Sequence, residues 1–260
     1  MMDFKAIKVE TDARGVVALT LSRPEKRNAL SAEMIAELTT FARNVEARAV
    51  VLSGAGDVFC AGGDLTWMKA QIEADRETRI VEARKLADML RALNEMPCPL
   101  IARIHGGAFG GGVGMACVAD VAIAADGTKF GLTETRLGLI PATIGPYVLV
   151  RMGEGRARRV FMSSRLFDAA EAQELGIVAR AVSGAELDGA VEAEVAPYLS
   201  VAPGAVGRAK ALARALGPRI DEKVINTTIT QLADAWETEE AREGIEAFLS
   251  KRQARWVSSA

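Results

Sequence analysis

The sequence has few of the residues that carry metal, redox or nucleophilic chemistry. Its 260 residues include one histidine, His105, and three cysteines, at positions 60, 98 and 117. A single histidine excludes HExxH and multi-histidine metal sites, and no CxxC pair offers zinc or redox ligands. The odd cysteine count argues against a disulfide framework and favours a reducing compartment. Catalysis would therefore depend on carboxylates, backbone amides, or both.

A strong net charge and long apolar runs are also missing. The 32 Lys and Arg residues nearly balance 34 Asp and Glu residues, which gives no electrostatic reason to expect a nucleic acid or anionic membrane partner. The longest apolar stretch, 113–125, contains Asp120 and is too short to span a bilayer. The first ten residues lack the apolar run of a signal peptide. We expect a soluble, cytoplasmic globular protein.

Strand-like and helix-like segments alternate along the first half of the chain. Apolar alternation at 7–9 and 17–21 predicts a β-hairpin, and Ser31 is a candidate N-cap for the helix that follows. Apolar strands are expected at 49–52, 100–104 and 121–124, with helical sequence between them. This order predicts an α/β fold with a mainly parallel sheet. From about residue 197 the sequence is almost wholly helical, so we predict a core at 1–200 and a helical capping or oligomerisation segment at 201–260.

Three stretches could carry chemistry: FCAGGDLTWM (59–68), IHGGAFGGGVGMA (104–116) and KFGLTETRLGLIPA (129–142). In the first two, glycines precede helical sequence. Such glycines often serve only a turn that needs positive φ. Alternatively, they let a substrate approach backbone N–H groups at helix N-termini, and two such groups aimed at one oxygen would form an oxyanion hole.

The glycine run fails as a dinucleotide fingerprint. A GxGxxG pattern that starts at Gly110 places Met115 at its third glycine, and one that starts at Gly112 places Cys117 there. The run also follows a late strand, whereas the fingerprint belongs to the first. Binding of NAD is therefore disfavoured.

Glu134 is the candidate acid–base residue. It could be a surface carboxylate paired with Arg136, as most charged residues are exposed. In a partly apolar pocket it would instead have a raised pKa suited to proton transfer. His105 is expected to have a structural role, Asp64 and Asp120 to cap helices or bond turn amides, and Trp67 to line a pocket or pack in the core.

The three stretches together resemble the enoyl-CoA hydratase/isomerase (crotonase) superfamily. Further matches, in the family's order, are RPEKRNAL (23–30), RLFDAAEAQELGIVARAV (165–182) and EGIEAFLSKR (243–252). The resemblance implies a spiral of ββα units, C-terminal helices that assemble trimers or dimers of trimers, an acyl-CoA thioester substrate and no separate cofactor. It implies that the amides of Gly63 and Gly111 bind the thioester oxygen. It places Lys251 or Arg252 near nucleotide phosphates of a neighbouring subunit, and its implied substrate-binding residues are Ala29, Ala61, Gly62, Asp64, Leu65, Trp67, Gly110 and Gly114.

One departure from the family leaves the reaction open. Typical hydratases carry a first glutamate twenty positions before the second; here the second is Glu134 and the first position holds Gly114. The stretches 59–68 and 138–159 are similar to bacterial methylglutaconyl-CoA and isohexenylglutaconyl-CoA hydratases, which favours hydration in leucine or terpene breakdown. The alternatives are a Δ3,Δ2-enoyl-CoA isomerase and a weakly catalytic acyl-CoA binding protein.

Overall fold

A computed structural model describes residues 4–258 of the chain. The strands of this part are β1 (Ile7–Thr11), β2 (Val16–Leu21), β3 (Ala49–Gly54), β4 (Leu100–Ile104), β5 (Gly107–Phe109), β6 (Val121–Ala125), β7 (Lys129–Gly131), β8 (Leu166–Asp168) and β9 (Arg180–Val182).

The α-helices of the same residues are α1 (Ala32–Asn44), α2 (Leu65–Glu73), α3 (Arg76–Glu95), α4 (Gly111–Val118), α5 (Gly145–Met152), α6 (Glu154–Phe161), α7 (Ala169–Glu174), α8 (Leu187–Val195), α9 (Pro203–Leu216), α10 (Glu222–Trp236) and α11 (Glu239–Leu249). Short 3₁₀ turns cover Pro24–Lys26, Glu134–Leu137 and Ala196–Ser200.

The strands form two sheets. The larger has the order β1-β2-β3-β4-β6-β9, in which β1 and β2 are antiparallel and every later pairing is parallel. The smaller has the order β5-β7-β8, and a parallel bridge between Cys60 and Ala108 joins the chain after β3 to it. The expected hairpin, mixed α/β class and mainly parallel sheet are confirmed.

The main core lies between the larger sheet and the helices that cross over it. Leu52 on β3, Leu100 on β4 and Leu90 on α3 are fully buried in one apolar cluster with much of α1 and α4. Strands covered on both faces have nearly continuous apolar sequences. Residues 49–52 are wholly apolar and 100–104 are apolar except for Arg103, which explains why both strands can be predicted from the sequence. Ser31 caps α1, since its side chain accepts a hydrogen bond from the Met34 N–H, as predicted.

The C-terminal helices differ in how they use their apolar faces. Ile225 and Ile229 of α10 are buried against Ala83 and Ala87 of α3. On α9, by contrast, Leu212 is 60% and Leu216 is 80% exposed, and α11 packs against the 3₁₀ turn Glu134–Leu137. In the part of the chain that the structure describes, no helix combines the length and apolar character that crossing a membrane requires. The boundary expected at residue 200 stays a prediction.

Candidate active site

The glycine-rich segment after β3 lies alongside β5. The Phe59 N–H donates to the His105 carbonyl at 2.9 Å, and the Cys60 N–H donates to the Gly107 carbonyl at 3.0 Å. The Phe109 N–H returns a bond to the Cys60 carbonyl at 3.0 Å. This ladder brings the first and second glycine-rich stretches of the sequence together.

Glycine is required at two positions where these stretches meet. Gly62 has φ +93°, and a Cβ there would lie 3.1 Å from the Phe109 carbonyl oxygen. Gly110 has φ +48°, and a Cβ there would lie 3.1 Å from Glu134 Oε1 and 3.9 Å from Gly62 Cα. Side-chain-bearing residues rarely adopt such φ values. The absence of both side chains thus lets two backbone turns and one carboxyl group approach each other.

The amides of Gly63 and Gly111 are free of protein acceptors within residues 4–258. The residues on either side of Gly63 are held by Leu30, whose N–H donates to the Gly62 carbonyl at 2.7 Å and whose carbonyl accepts from the Asp64 N–H at 3.1 Å. Gly111 is the first residue of α4, where N–H groups have no intrahelical partner and the helix dipole is positive. Both amides are therefore available to a ligand oxygen.

Glu134 begins the 3₁₀ turn Glu134–Leu137 beside Gly110. Its Oε2 atom is buried and has no hydrogen-bond partner among the described residues. Burial, which disfavours the charged form, raises the pKa of the carboxyl from an ordinary 4.5 to about 7. A carboxyl group with this pKa can both accept and donate a proton near neutral pH.

The interpretation of Glu134 as a surface carboxylate paired with Arg136 is wrong. The Arg136 guanidinium instead donates to the Ser164 carbonyl at 3.2 Å, and its backbone N–H donates to the Ser164 hydroxyl at 3.0 Å. Ser164 is itself buried and bonds the Thr135 hydroxyl at 2.6 Å. The arginine thus anchors the turn to a neighbouring loop, and no described residue supplies Glu134 with a countercharge.

Comparison with known proteins identifies the family to which this arrangement belongs. The sequence profile of the enoyl-CoA hydratase/isomerase family matches residues 11–259. YngF of Bacillus subtilis, named as an enoyl-CoA hydratase/isomerase, is 36% identical over 250 residues that cover 91% of this chain and 92% of the relative. The chain belongs to the enoyl-CoA hydratase/isomerase family.

Solved structures of similar proteins agree with this family assignment. The crystal structure of an enoyl-CoA hydratase from Shewanella pealeana superposes with a TM-score of 0.78 at 35% identity, covering 97% of this chain and 96% of the other. Pseudomonas aeruginosa AtuE superposes with a TM-score of 0.79 at 36% identity, covering 98% of this chain and all of the other. The crotonase fold expected from the resemblance is confirmed, and this family member is an enzyme.

Gly114 stands against an apolar wall. A Cβ at this position would lie 2.5 Å from Ile144 Cγ2 and 3.5 Å from Leu90 Cδ2. The space that a side chain at position 114 would enter is therefore filled by the apolar residue that precedes α5. A second carboxylate could not be added here without moving Ile144, and the catalytic role of Glu134 stays a prediction.

The segment after Gly63 is fixed by Asp64. Its carboxylate accepts from the Thr66 N–H at 2.8 Å, which caps α2 as expected, and forms a 3.0 Å ion pair with Arg23. Burial raises the pKa of this carboxyl, but the bonds from Thr66 and Arg23 outweigh it, so the pKa is lowered overall. The oxygens of Asp64 are thus committed to protein partners, and its role in substrate binding stays a prediction.

The remaining predicted residues lie on the chain segments that flank or pair with Gly63. Trp67 lies beside Gly63, since its Cε3 would be 3.9 Å from a Cβ there, and its indole N–H donates to Glu82 at 3.1 Å. Leu65 is 51% exposed, Ala29 is buried and Ala61 is partly exposed. Their contacts with a substrate stay predictions. The oxyanion roles of Gly63 and Gly111 and the acid–base role of Glu134 stay predictions as well.

Arg252, which the resemblance places near nucleotide phosphates, is already bonded to a carboxylate of its own chain. Its guanidinium forms two hydrogen bonds to Glu243, at 2.7 and 3.0 Å, within its own chain. His105 has a structural contact as expected, since its Nε2 lies 2.8 Å from the Gly56 carbonyl oxygen.

The sequence analysis did not identify three buried residues that contact and support the segments of the site. Ile144 blocks position 114, and Ser164 holds the turn that carries Glu134. Asn28 is fully buried with φ +53°, and its amide donates to the Ala55 and Val58 carbonyls at 2.7 and 2.9 Å. Only Asn28 had a usable signal, because it lies in the matched segment RPEKRNAL.

Proposed function

We propose that this enzyme adds water reversibly to a 2-enoyl-CoA thioester. The observation that carries the proposal is the buried Oε2 of Glu134, which has no hydrogen-bond partner within residues 4–258. The Oε1 atom of the same carboxyl group lies beside Gly110, the residue before Gly111. The family supplies acyl-CoA chemistry, and the similar protein from Shewanella pealeana is named an enoyl-CoA hydratase. These points together favour hydration.

In the proposed reaction, Glu134 begins as a carboxylate and removes a proton from water. The water oxygen bonds to C3, and the C2–C3 π electrons move into the thioester to give an enolate. The N–H groups of Gly63 and Gly111 hold the enolate oxygen, where one such donor is typically worth about 3 kcal/mol. The Glu134 carboxylic acid then gives its proton to C2, which completes the addition of water and restores the carboxylate.

In the proposed reaction one carboxyl group first accepts a proton from water and then donates it to C2. Such a group works best when its pKa lies near the pH at which the enzyme operates. The pKa of Glu134, raised to about 7 by burial, meets this requirement near neutral pH. At its ordinary value of 4.5 the group would be a weaker base. The burial of Glu134 therefore contributes directly to the proposed chemistry.

The acyl group and the assembly are finer parts of the proposal. We infer a branched 2-enoyl-CoA such as methylglutaconyl-CoA, on the sequence likeness described above. We also infer a homotrimer or a dimer of trimers, which the exposed leucines of α9 support, since Leu212 and Leu216 would otherwise remain in water. Light scattering on the purified protein tests the assembly independently of activity.

A Δ3,Δ2-enoyl-CoA isomerase is the second candidate. Isomerisation moves one proton between C2 and C4, and the apolar wall of Ile144 and Leu90 leaves one carboxyl group for that purpose. The same observation is compatible with hydration, and the absorbance assay that follows distinguishes the two reactions.

The deciding experiment follows the absorbance of the conjugated thioester. Crotonyl-CoA, methylglutaconyl-CoA and a 3-enoyl-CoA are each incubated with the wild-type protein and with Glu134→Gln. Loss of absorbance from a 2-enoyl-CoA supports hydration, and its appearance from the 3-enoyl-CoA supports isomerisation. Tight binding of thioesters with no turnover would reject both reactions in favour of a binding protein, and full activity of Glu134→Gln would reject the role of Glu134.

A further inference from the structure

The turn that carries Glu134 is too short to fix its own position. It covers four residues, and its backbone ends at Gly138 with φ +70°. Inside this turn, the Gly138 N–H bonds the Thr135 carbonyl at 3.2 Å and the Leu139 N–H bonds the Glu134 carbonyl at 3.1 Å. A single helical turn is unstable in isolation, so the direction of the carboxyl group depends on what the turn packs against.

Helix α11 packs directly on this turn through two glycines. A Cβ on Gly244 of α11 would lie 2.5 Å from the Leu137 carbonyl carbon and 2.7 Å from its oxygen. Reciprocally, a Cβ on Gly138 would overlap the peptide between Glu240 and Ala241. Real Cβ contacts are not this short, so the two backbones touch at a distance that only glycine allows.

Helix α11 is itself firmly held. Thr238 caps its first turn, accepting from the Ala241 N–H at 3.1 Å. Ala241 and Ile245 are almost completely buried in a cluster with Leu139 and Trp236, against which Leu137 also packs. The turn is bonded on its other side to Ser164, through Thr135 and Arg136. An atom added at the glycine contact would therefore strain the four-residue turn between α11 and that loop.

We propose that Gly244 is a positioning residue for the reaction, because its backbone contact with Leu137 sets where the Glu134 carboxyl group lies relative to the Gly63 and Gly111 amides. The inference rests on the proposed function, in which Glu134 transfers the protons. The residue touches no substrate; it acts through the four-residue turn. A displacement of about 1 Å in a catalytic group can lower a rate by roughly 100-fold.

The test is Gly244→Ala, which adds one methyl group at the contact. We expect kcat to fall by about 10-fold or more, while KM and the Kd of unreactive butyryl-CoA change by less than about 3-fold, since the oxyanion amides lie on other segments. A thermal melt and a gel-filtration profile establish that the assayed protein is folded. A purely structural residue would lower the melting temperature and leave kcat of the folded enzyme unchanged.

Gly189→Ala is the matched control. Gly189 also lies within a helix, α8, but a Cβ there would meet no other described atom within 4 Å. The same chemical change should leave kcat unchanged. A loss of kcat in this control equal to that of Gly244→Ala would overturn the inference.

Leu137→Ala provides a second test that adds no atoms. This substitution removes the side chain with which the turn packs against the cluster of Leu139 and Ile245. If Gly244→Ala does not fold, Leu137→Ala tests on its own whether contact with α11 positions Glu134. We expect kcat to fall by several-fold, again with unchanged butyryl-CoA binding.

The two proposals fail differently. If Glu134→Gln is inactive while Gly244→Ala and Leu137→Ala retain wild-type kcat, the positioning inference is wrong and the proposed function survives. If Glu134→Gln retains full activity, the proposed function itself fails.

Discussion

Two glutamates on contacting elements of this protein have opposite surroundings. Glu134, on the 3₁₀ turn, has a buried Oε2 with no partner among residues 4–258, and burial raises its pKa to about 7. Glu243, on α11, is 8% exposed, yet its oxygens accept two bonds from the Arg252 guanidinium and one from the Arg255 N–H. These partners lower the pKa of Glu243 to about 2.

The difference teaches that burial alone does not set the chemistry of a carboxyl group. Removal from water disfavours the negatively charged carboxylate in both cases. The guanidinium groups beside Glu243 stabilise its carboxylate, whereas no described residue supplies such a group to Glu134. Glu243 can therefore hold the chain after α11 and cannot take up a proton near pH 7. Glu134, which lacks a countercharge, is less favourable for stability and suited to proton transfer.

Exchanging each glutamate for glutamine should separate the two roles, with the largest effect at Glu134. We expect Glu134→Gln to lower kcat by about 100- to 10,000-fold, since the amide cannot accept the proton. Glu243→Gln should keep kcat of the folded enzyme within about 3-fold of wild type but lower its melting temperature. Steady-state kinetics measures kcat and calorimetry measures the melting temperature of both variants. Equal losses of kcat would contradict the assignment of proton transfer to Glu134 and of stability to Glu243.

The pH dependence of activity should follow Glu134 alone. Because hydration begins with the carboxylate, kcat/KM should rise with pH to a plateau with a midpoint near 7, and at pH 5 should be about 100-fold below the plateau. The measurement is a pH–rate profile with crotonyl-CoA or the best substrate found. A midpoint near 4.5 would mean that substrate access or water restores the ordinary pKa.

Stability should respond to pH in opposite directions at the two sites. Folded Glu134 keeps its proton up to about pH 7, whereas the unfolded side chain loses it near 4.5, so this group makes unfolding easier as pH rises through that window. Glu134→Gln should remove a penalty of as much as about 3 kcal/mol at pH 8 and none at pH 4. Urea denaturation at the two pH values checks this.

For Glu243 the sign is reversed. Its folded pKa lies below the ordinary 4.5, so its stabilising contribution is complete above that value and is lost as pH falls toward 2. Glu243→Gln should therefore destabilise the protein at pH 7 and much less at pH 3. The same denaturation series tests it, and a destabilisation that does not change with pH would contradict the ion-pair explanation.

The smallest effect expected is on packing around the apolar side of the site. Gly114→Ala places a methyl group against Ile144 and should lower the free energy of unfolding by about 1–3 kcal/mol, the usual cost of overpacking. Gly155→Ala in α6, where a Cβ would meet no described atom within 4 Å, should raise it by about 0.5–1 kcal/mol. Chemical denaturation of both proteins makes the comparison, and equal shifts would mean that Ile144 moves aside freely.

Much of the site could be anticipated because its signals are local. A glycine with positive φ, such as Gly62 or Gly110, depends on the turn that it occupies, and the surrounding motif is continuous in sequence. The strands 49–52 and 100–104 were readable because both faces of the sheet are covered. Ser31 and Asp64 were readable as caps because an N-cap bonds an amide two or three residues ahead.

The sequence by itself determined the first hairpin and the three central parallel strands of the larger sheet, the family, and the presence of one candidate acid–base residue near two glycine turns. The smaller sheet β5-β7-β8 was not predicted. The tertiary structure alone decided that Arg136 bonds Ser164 rather than Glu134, that Ile144 fills the space beside Gly114, and that Gly244 touches Leu137. Local backbone geometry is encoded within a few neighbouring residues. The charge state of a buried carboxyl group depends instead on which distant side chains surround it, and those neighbours exist only after the chain has folded.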